Sequence, residues 1–303
     1  MTQFTTISDA TLVPVRVKKD GPPGAMIGGA FDGNGDYVDQ SAFFRGDRRF
    51  VYRPRAPTSA ADGTIGEQAI FAGYLYNHFG HFLLESLSRL HVLPQCPDAP
   101  LLWVKEREMK PWHQVIFRIL GVQNRHIFVT EPARVRSLVV GNCGFSIGNY
   151  FRPYHERFLG KVEWQPISGR WIWLSRSKLA ADLGGIDNET DIEAVLALNG
   201  WTIFHAQEHS LEQQVKILSD AERIAGFEGS AFHLLVLLDQ IHARIDIFSR
   251  GSSINRNFDL IAQAKRLDQR VHGVAMEQIS GARSFSRYRI GDLDEVVAKL
   301  AAA

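Results

Sequence analysis

From Gln68 onward the chain alternates short runs of β-formers with helical stretches, and the alternation occurs twice. No other feature constrains the fold as strongly. Strands joined through helices must run parallel, in a sheet covered by those helices. In the first half, Ala69–Tyr74 reads as a strand. Phe79–Leu93 reads as a helix ended by Pro94, and Leu101–Lys105 as a strand. Pro111–Leu120 reads as a helix with proline at its start and Gly121 just past its end. His126–Val129 and Val135–Val140 follow as strands. The first 60 residues are different: Thr11–Val17 and Arg49–Arg53 read as strands around the turn-rich Gly28–Gly35, which predicts an irregular, partly antiparallel opening.

Glu163–Gly169 reads as a linker, after which the rhythm restarts. Trp171–Leu174, Thr202–His205, Arg223–Gly226, Arg244–Phe248 and Val271–Val274 are predicted strands. Asn188–Leu198, Ser210–Ala221, Ser230–Leu238 and Asn257–Leu267 are predicted helices, the second opened by the capping box Ser210-x-x-Gln213. A short strand, Arg287–Ile290, and a helix, Asp292–Leu300, close the chain. With 303 residues, two α/β domains are expected, 1–162 and 170–303. By pattern the second is doubly wound. Two such domains leave a cleft, and ligands of open parallel sheets bind at the carboxyl ends of the strands, so the sites are expected to face it.

Composition excludes several functions. A formal net charge of +1 provides no global field for nucleic acid. The two cysteines, Cys96 and Cys143, lack metal-ligand spacing and read as reduced thiols, which fits a cytoplasmic protein. The N-terminus has no basic start followed by an apolar stretch, and no apolar run approaches the roughly 20 residues of a membrane span. Any membrane contact is expected to be peripheral. There is no Gly-x-Ser-x-Gly elbow, no Walker loop and no dinucleotide fingerprint.

Three segments carry candidate chemistry. Gly226-Phe-Glu-Gly-Ser-Ala-Phe-His233 follows a predicted strand and opens a predicted helix. Its glycines allow close backbone approach, and free amides at a helix start favour an anion. Glu228 can accept from ribose hydroxyls, Ser230 can cap the helix or touch phosphate, and His233 can donate to a phosphate oxygen. Leu174-Ser-Arg-Ser-Lys178 ends the second domain's first strand; Arg176 can clamp a phosphate in bidentate fashion and Lys178 adds a point charge. In the first half, His81, Glu85 and Arg89 recur every four residues, along one face of the predicted helix. A histidine oriented by a carboxylate at that spacing can act as a general base, and His78 is an alternative. His78, His81 and Glu85 could begin a zinc set, but no fourth ligand or His-Glu-x-x-His motif appears, so no metal is expected.

The chain resembles glycosyltransferase family 61, the DUF563-like capsular-polysaccharide-biosynthesis group. Three motifs carry the resemblance: Phe79-Gly-His-Phe-Leu-Leu-Glu-Ser-Leu-Ser-Arg-Leu90; Trp173-Leu-Ser-Arg-Ser-Lys178 with the later Asn188-Glu189; and Gln213–Leu238 with Glu-Gly-Ser-Ala-Phe-His. Together they span roughly residues 70–265. The resemblance implies a GT-B fold, that is, two Rossmann-like domains, with the acceptor site in the first and the sugar-nucleotide in the second. It implies an inverting, metal-independent transferase without a cofactor, moving sugar from a nucleotide-sugar donor to a glycan or glycolipid acceptor in surface polysaccharide or lipopolysaccharide assembly. It implies that His81 or Glu85 lies near the acceptor with one serving as base, that His78 and Arg89 lie on the acceptor side, that Arg176, Lys178, Gly229, Ser230 and His233 hold the donor diphosphate, and that Glu228 binds the ribose. The chain departs from the family pattern at Glu228, where many relatives have histidine, at Leu234, where many have asparagine, and at Phe248-Ser-Arg250, where a glutamate is common. A non-catalytic glycan or nucleotide-sugar binder, or an epimerase of the same fold, would share the architecture.

Overall fold

The β-formers at the start of the chain become a strand long enough to cross a whole sheet. In the computed structural model, which describes residues 3–55, 63–105, 108–251, 253–281 and 286–301, two units separate, Met1–Leu159 and Gly160–Ala303. The first runs through β1 (Phe4–Val17), β2 (Met26–Phe31), β3 (Phe43–Arg45), β4 (Arg48–Tyr52), β5 (Gly63–Gly73), α1 (Phe79–Leu84), β6 (Leu101–Trp103), α2 (Pro111–Ile119), β7 (His126–Phe128), β8 (Ala133–Gly141), β9 (Phe145–Ser146), β10 (Tyr150–Phe151) and α3 (Pro153–Leu159).

Eight of these strands form one sheet in the order β3-β4-β2-β1-β8-β5-β6-β7. Only β8, β5, β6 and β7 make the expected parallel set. β1 runs antiparallel to both β2 and β8, so the opening segment is built into the sheet and makes it mixed. This unit is therefore not a doubly wound Rossmann sheet. Its core is the inward face of that sheet, with Leu12, Ala30, Phe71, Leu102, Val135 and Leu138 all buried.

The predicted helix over 79–93 is cut short. α1 ends at Leu84 and the chain tightens into a 3-10 helix over Ser86–Gln95. Serine side chains explain the change. Ser88 donates through both its N–H and its hydroxyl to the Glu85 carbonyl, and the Ser86 hydroxyl accepts from the Tyr76 N–H. Such side chains compete with the α-helical ladder.

The second unit contains β11 (Val162–Glu163), β12 (Trp171–Ser175), β13 (Gly185–Ile186), α4 (Glu189–Leu198), β14 (Trp201–His205), α5 (Leu211–Ser219), β15 (Arg223–Phe227), β16 (Leu238–Asp239), β17 (Arg244–Phe248), α6 (Arg256–Lys265), β18 (Asp268–His272), β19 (Met276–Ser280), β20 (Arg287–Ile290) and α7 (Leu293–Ala301). The stretch 163–169 runs along this unit, with Gln165 N–H on the Ser219 carbonyl and Ile167 N–H on that of Asp220. α5 opens with the capping box: Ser210 and Gln213 each accept the other's backbone N–H. The five-stranded sheet is parallel throughout, in the order β14-β12-β15-β17-β18. Counted along the chain, the first strand of this sheet lies between the second and the third. The winding therefore reverses direction between β12 and β15, the place where open parallel sheets take ligands at their carboxyl ends. Ser230–Leu237 is a 3-10 helix, not the predicted α-helix. Its all-round apolar run is almost wholly buried, and such a run lacks the periodicity that separates 3.6 from 3.0 residues per turn.

β12 and β15 approach closely at Gly226, where a β-carbon would stand 2.7 Å from the Leu174 carbonyl oxygen. Gly226→Ala is expected to push these strands apart and destabilise the second unit by about 2 kcal/mol, lowering its melting temperature by roughly 5 °C. A calorimetric scan unchanged from wild type would show that the strands can yield. Among the described residues, no helix is long and apolar enough to cross a membrane.

Candidate functional site

The candidate residues fall into two clusters, one in each unit. In the first, α1 is pinned by Phe82, Leu83 and Leu84, all buried; Phe82 packs edge-on to Trp112 and Phe117. That packing leaves the His81 side chain 33% exposed while the Glu85 side chain, one turn on, is fully covered. Glu85 is gripped from β3: Arg45 Nε donates to Oε1 and Nη2 to Oε2, each at 2.9 Å. His81 Nδ1 lies 2.5 Å from Oε2. A carboxylate fixed by a bidentate guanidinium accepts the Nδ1 proton, and this assigns the tautomer with a bare Nε2. The carboxylate thereby aims the imidazole.

His78 stands before α1 with its ring 4.8 Å from that of His81. Burial, then the neighbouring His81, holds it below the ordinary histidine range. The Tyr76 ring lies 5.6 Å from His81. Burial, then the Glu85 charge, pushes its phenol well above the usual range. Arg89 does not continue the stripe. Because the helix tightens after Leu84, Arg89 turns inward to 1% exposure and donates to the Gln40 and Ala42 carbonyls at 3.1 and 2.7 Å. It fastens the segment before β3, which carries Arg45.

In the second unit, Arg176 follows β12 and Glu228-Gly229 follow β15, on either side of the winding reversal. Arg176 Nη2 donates to the Leu183 carbonyl. Its guanidinium covers Gly229 so closely that a β-carbon there would stand 2.5 Å from Nη1. The backbone N–H of Arg176 donates to Glu189 Oε1, which also accepts from the Trp173 indole, both at 3.1 Å. Glu189 is fully buried at the start of α4, and Oε2 has no hydrogen-bond partner among the described residues. Burial pushes this carboxyl up to about 7, with the Glu193 charge adding to the rise. Burial, then the charge of Arg250, pulls Arg176 down to about 10.

The other expected donor residues divide. Glu228 accepts the Arg250 N–H on Oε1 and the Asn255 N–H on Oε2, bracing the loop after β17. Gly229 takes the N-cap position, making Ser230 the first residue of the 3-10 helix; Ser230 does not cap it. His233 stacks on Phe258, with ring centroids 5.2 Å apart. Lys178 is drawn away to Glu208, 3.0 Å distant on the surface. Among the described residues, no group of three or more His, Cys, Asp or Glu is arranged to hold a metal ion.

Sequence reading missed Arg45, Glu189 and Arg250 as site residues. Glu189 was visible only as half of the Asn188-Glu189 motif, and Arg250 only as a departure from a family pattern. Nothing local marked Arg45, which reaches Glu85 from β3, 40 positions away in the sequence.

A family model described as Glycosyltransferase 61 matches residues 79–245. The match runs from the first residue of α1 into β17 and includes His81, Glu85, Arg176, Glu189, Glu228, Gly229, Ser230 and His233. His78, Arg45 and Arg250 lie outside it. No curated protein gives a significant match.

Proposed function

The chain belongs to the glycosyltransferase 61 family, and we propose that it is an inverting, metal-independent transferase. Its donor would be a nucleotide-sugar, and its acceptor a glycan or glycolipid in cytoplasmic steps of surface polysaccharide or lipopolysaccharide assembly. The observation that carries this reading is the Arg176 guanidinium lying against Gly229, which admits it for want of a side chain, where the second sheet reverses its winding. A half-buried guanidinium there suits a diphosphate.

In this reading the second unit seats the donor. Arg176, the first amides of the 3-10 helix and the His233 imidazole take up the charge that develops on the leaving diphosphate. Glu228 braces a loop and keeps lone pairs for a ribose hydroxyl. The first unit supplies the acceptor-side base. His81 Nε2 removes the acceptor hydroxyl proton. The oxygen attacks the anomeric carbon opposite the nucleotide, the bond from that carbon to phosphate oxygen breaks, and the anomeric centre inverts.

A thermal-shift screen with nucleoside diphosphates and nucleotide-sugars in EDTA tests the donor site. A ligand at 100 times its dissociation constant should stabilise the protein by about 2.7 kcal/mol. A shift with one nucleotide family is expected. A folded sample that responds to none of them rejects the reading.

A further inference from the structure

Arg45 lies outside the matched family stretch, yet it holds both oxygens of Glu85. The Glu85 side chain is fully covered. A charge so far out of water is costly unless a countercharge meets it. Arg45 supplies one, with Nε on Oε1 and Nη2 on Oε2. The guanidinium is itself seated, 4.4 Å from the Phe50 ring centroid and 5.5 Å from that of Tyr76. The backbone leading to it is set from the interior. Tyr74 donates to the Ser41 carbonyl at 2.6 Å, Arg89 to those of Gln40 and Ala42, and Arg45 pairs with Arg48 across β3 and β4. Nη2 also stands 3.4 Å from His81 Nδ1. With the Nδ1 proton given to Glu85, a second proton on the ring would meet a like charge at close range.

We infer that Arg45 is a positioning residue for the base: by answering the Glu85 charge, it keeps His81 Nε2 bare and able to accept a proton. The inference rests on the reading of His81 as the acceptor-side base. Without Arg45, the covered carboxylate has two ways to settle its charge. It can hold His81 as imidazolium, and both ring nitrogens are then protonated. It can take up a proton itself and donate it to Nδ1, and the ring's own proton then sits on Nε2. Either way Nε2 offers no lone pair. The neighbouring groups do not replace Arg45. Burial holds His78 below the ordinary histidine range, and the Tyr76 phenol brings no positive charge. Arg89 is turned to the Gln40 and Ala42 carbonyls, and Lys105 Nζ lies over the Tyr76 ring, 4.6 Å from its centroid.

Long-range proton–nitrogen correlation spectra of the full chain, labelled in the histidine ring nitrogens and recorded at about pH 8, test this directly. His81→Gln identifies the His81 signals. In wild type, Nε2 should resonate as a bare ring nitrogen and Nδ1 as an N–H. In Arg45→Gln the Nε2 signal should move to the N–H position. In Arg45→Lys, which keeps the positive charge, it should stay bare. Unchanged signals from His126 and His155, elsewhere in the first unit, show that a variant is folded. Should the glutamine variant not fold, Arg45→Met, which keeps an apolar stem against Phe50, takes its place with the same expectation. A bare Nε2 in the uncharged variant overturns the role of Arg45, as does a protonated Nε2 in Arg45→Lys. A protonated Nε2 in wild type removes His81 as the base, and with it the reading on which this inference rests.

Discussion

Glu85→Gln should lower turnover by roughly two to four orders of magnitude while leaving nucleoside diphosphate affinity within about twofold of wild type. The Glu85 carboxylate meets three donors: Nε and Nη2 of Arg45 and Nδ1 of His81. An amide has one accepting oxygen and one NH2 group. If the oxygen faces Arg45, the NH2 faces His81 Nδ1 and selects the tautomer that carries its proton on Nε2. The histidine then cannot accept a proton from the acceptor. If the oxygen faces His81, the NH2 opposes the guanidinium, leaving Arg45 partly unpaired in a mostly buried site. The test is nucleoside diphosphate release in the presence of acceptor glycan, followed across pH. Donor titration on the same sample shows that the variant is folded. Turnover within tenfold of wild type would remove the His81–Glu85 pair from the chemistry. Loss of turnover and donor binding together would point to a structural defect.

That pair also shows how far the sequence was legible. The spacing of His81 and Glu85 is local, and one turn of α1 realises it as written. The next step of the same spacing fails, because Ser86 and Ser88 redirect the backbone and turn Arg89 into the interior. The residue that completes the pair, Arg45, arrives from β3, at the far edge of an eight-stranded sheet from β7. Such pairing depends on register between distant segments, which periodicity does not encode. The second unit was easier to read. β12, β15 and β17 are short, largely buried runs, so pattern alone located the strand ends carrying Arg176 and Glu228. Even there, the pattern gave position without partner. It could not tell that Lys178 turns to Glu208, that Glu228 braces a loop, or that Arg250 shares the field of Arg176.

Glu189 gives the largest expected effect on stability. Its carboxyl rises from 4.5 to about 7 on folding, chiefly through burial. Between those values the native state binds more protons than the unfolded chain, so stability falls as pH rises. The cost is absent below about pH 4.5, grows through the interval and is constant above about pH 7. A shift of that size corresponds to about 3 kcal/mol. Glu189→Gln keeps an oxygen for the Trp173 indole and the Arg176 N–H but does not titrate. Relative to wild type, the variant should therefore gain about 3 kcal/mol of stability on going from pH 5 to pH 8. Urea unfolding of both proteins across that range isolates the effect, because their other titrating groups are shared and largely cancel. Parallel curves would mean that Glu189 stays ionised when buried. The same proton bears on function. Ionised Glu189 subtracts one charge beside Arg176, and the diphosphate diester of a nucleotide-sugar does not itself titrate near neutrality. Donor affinity should accordingly tighten from pH 8 to pH 6 in wild type and stay level in Glu189→Gln. In the proposed donor site, a buried carboxylate that costs stability when ionised would thus also set how strongly an anion is held.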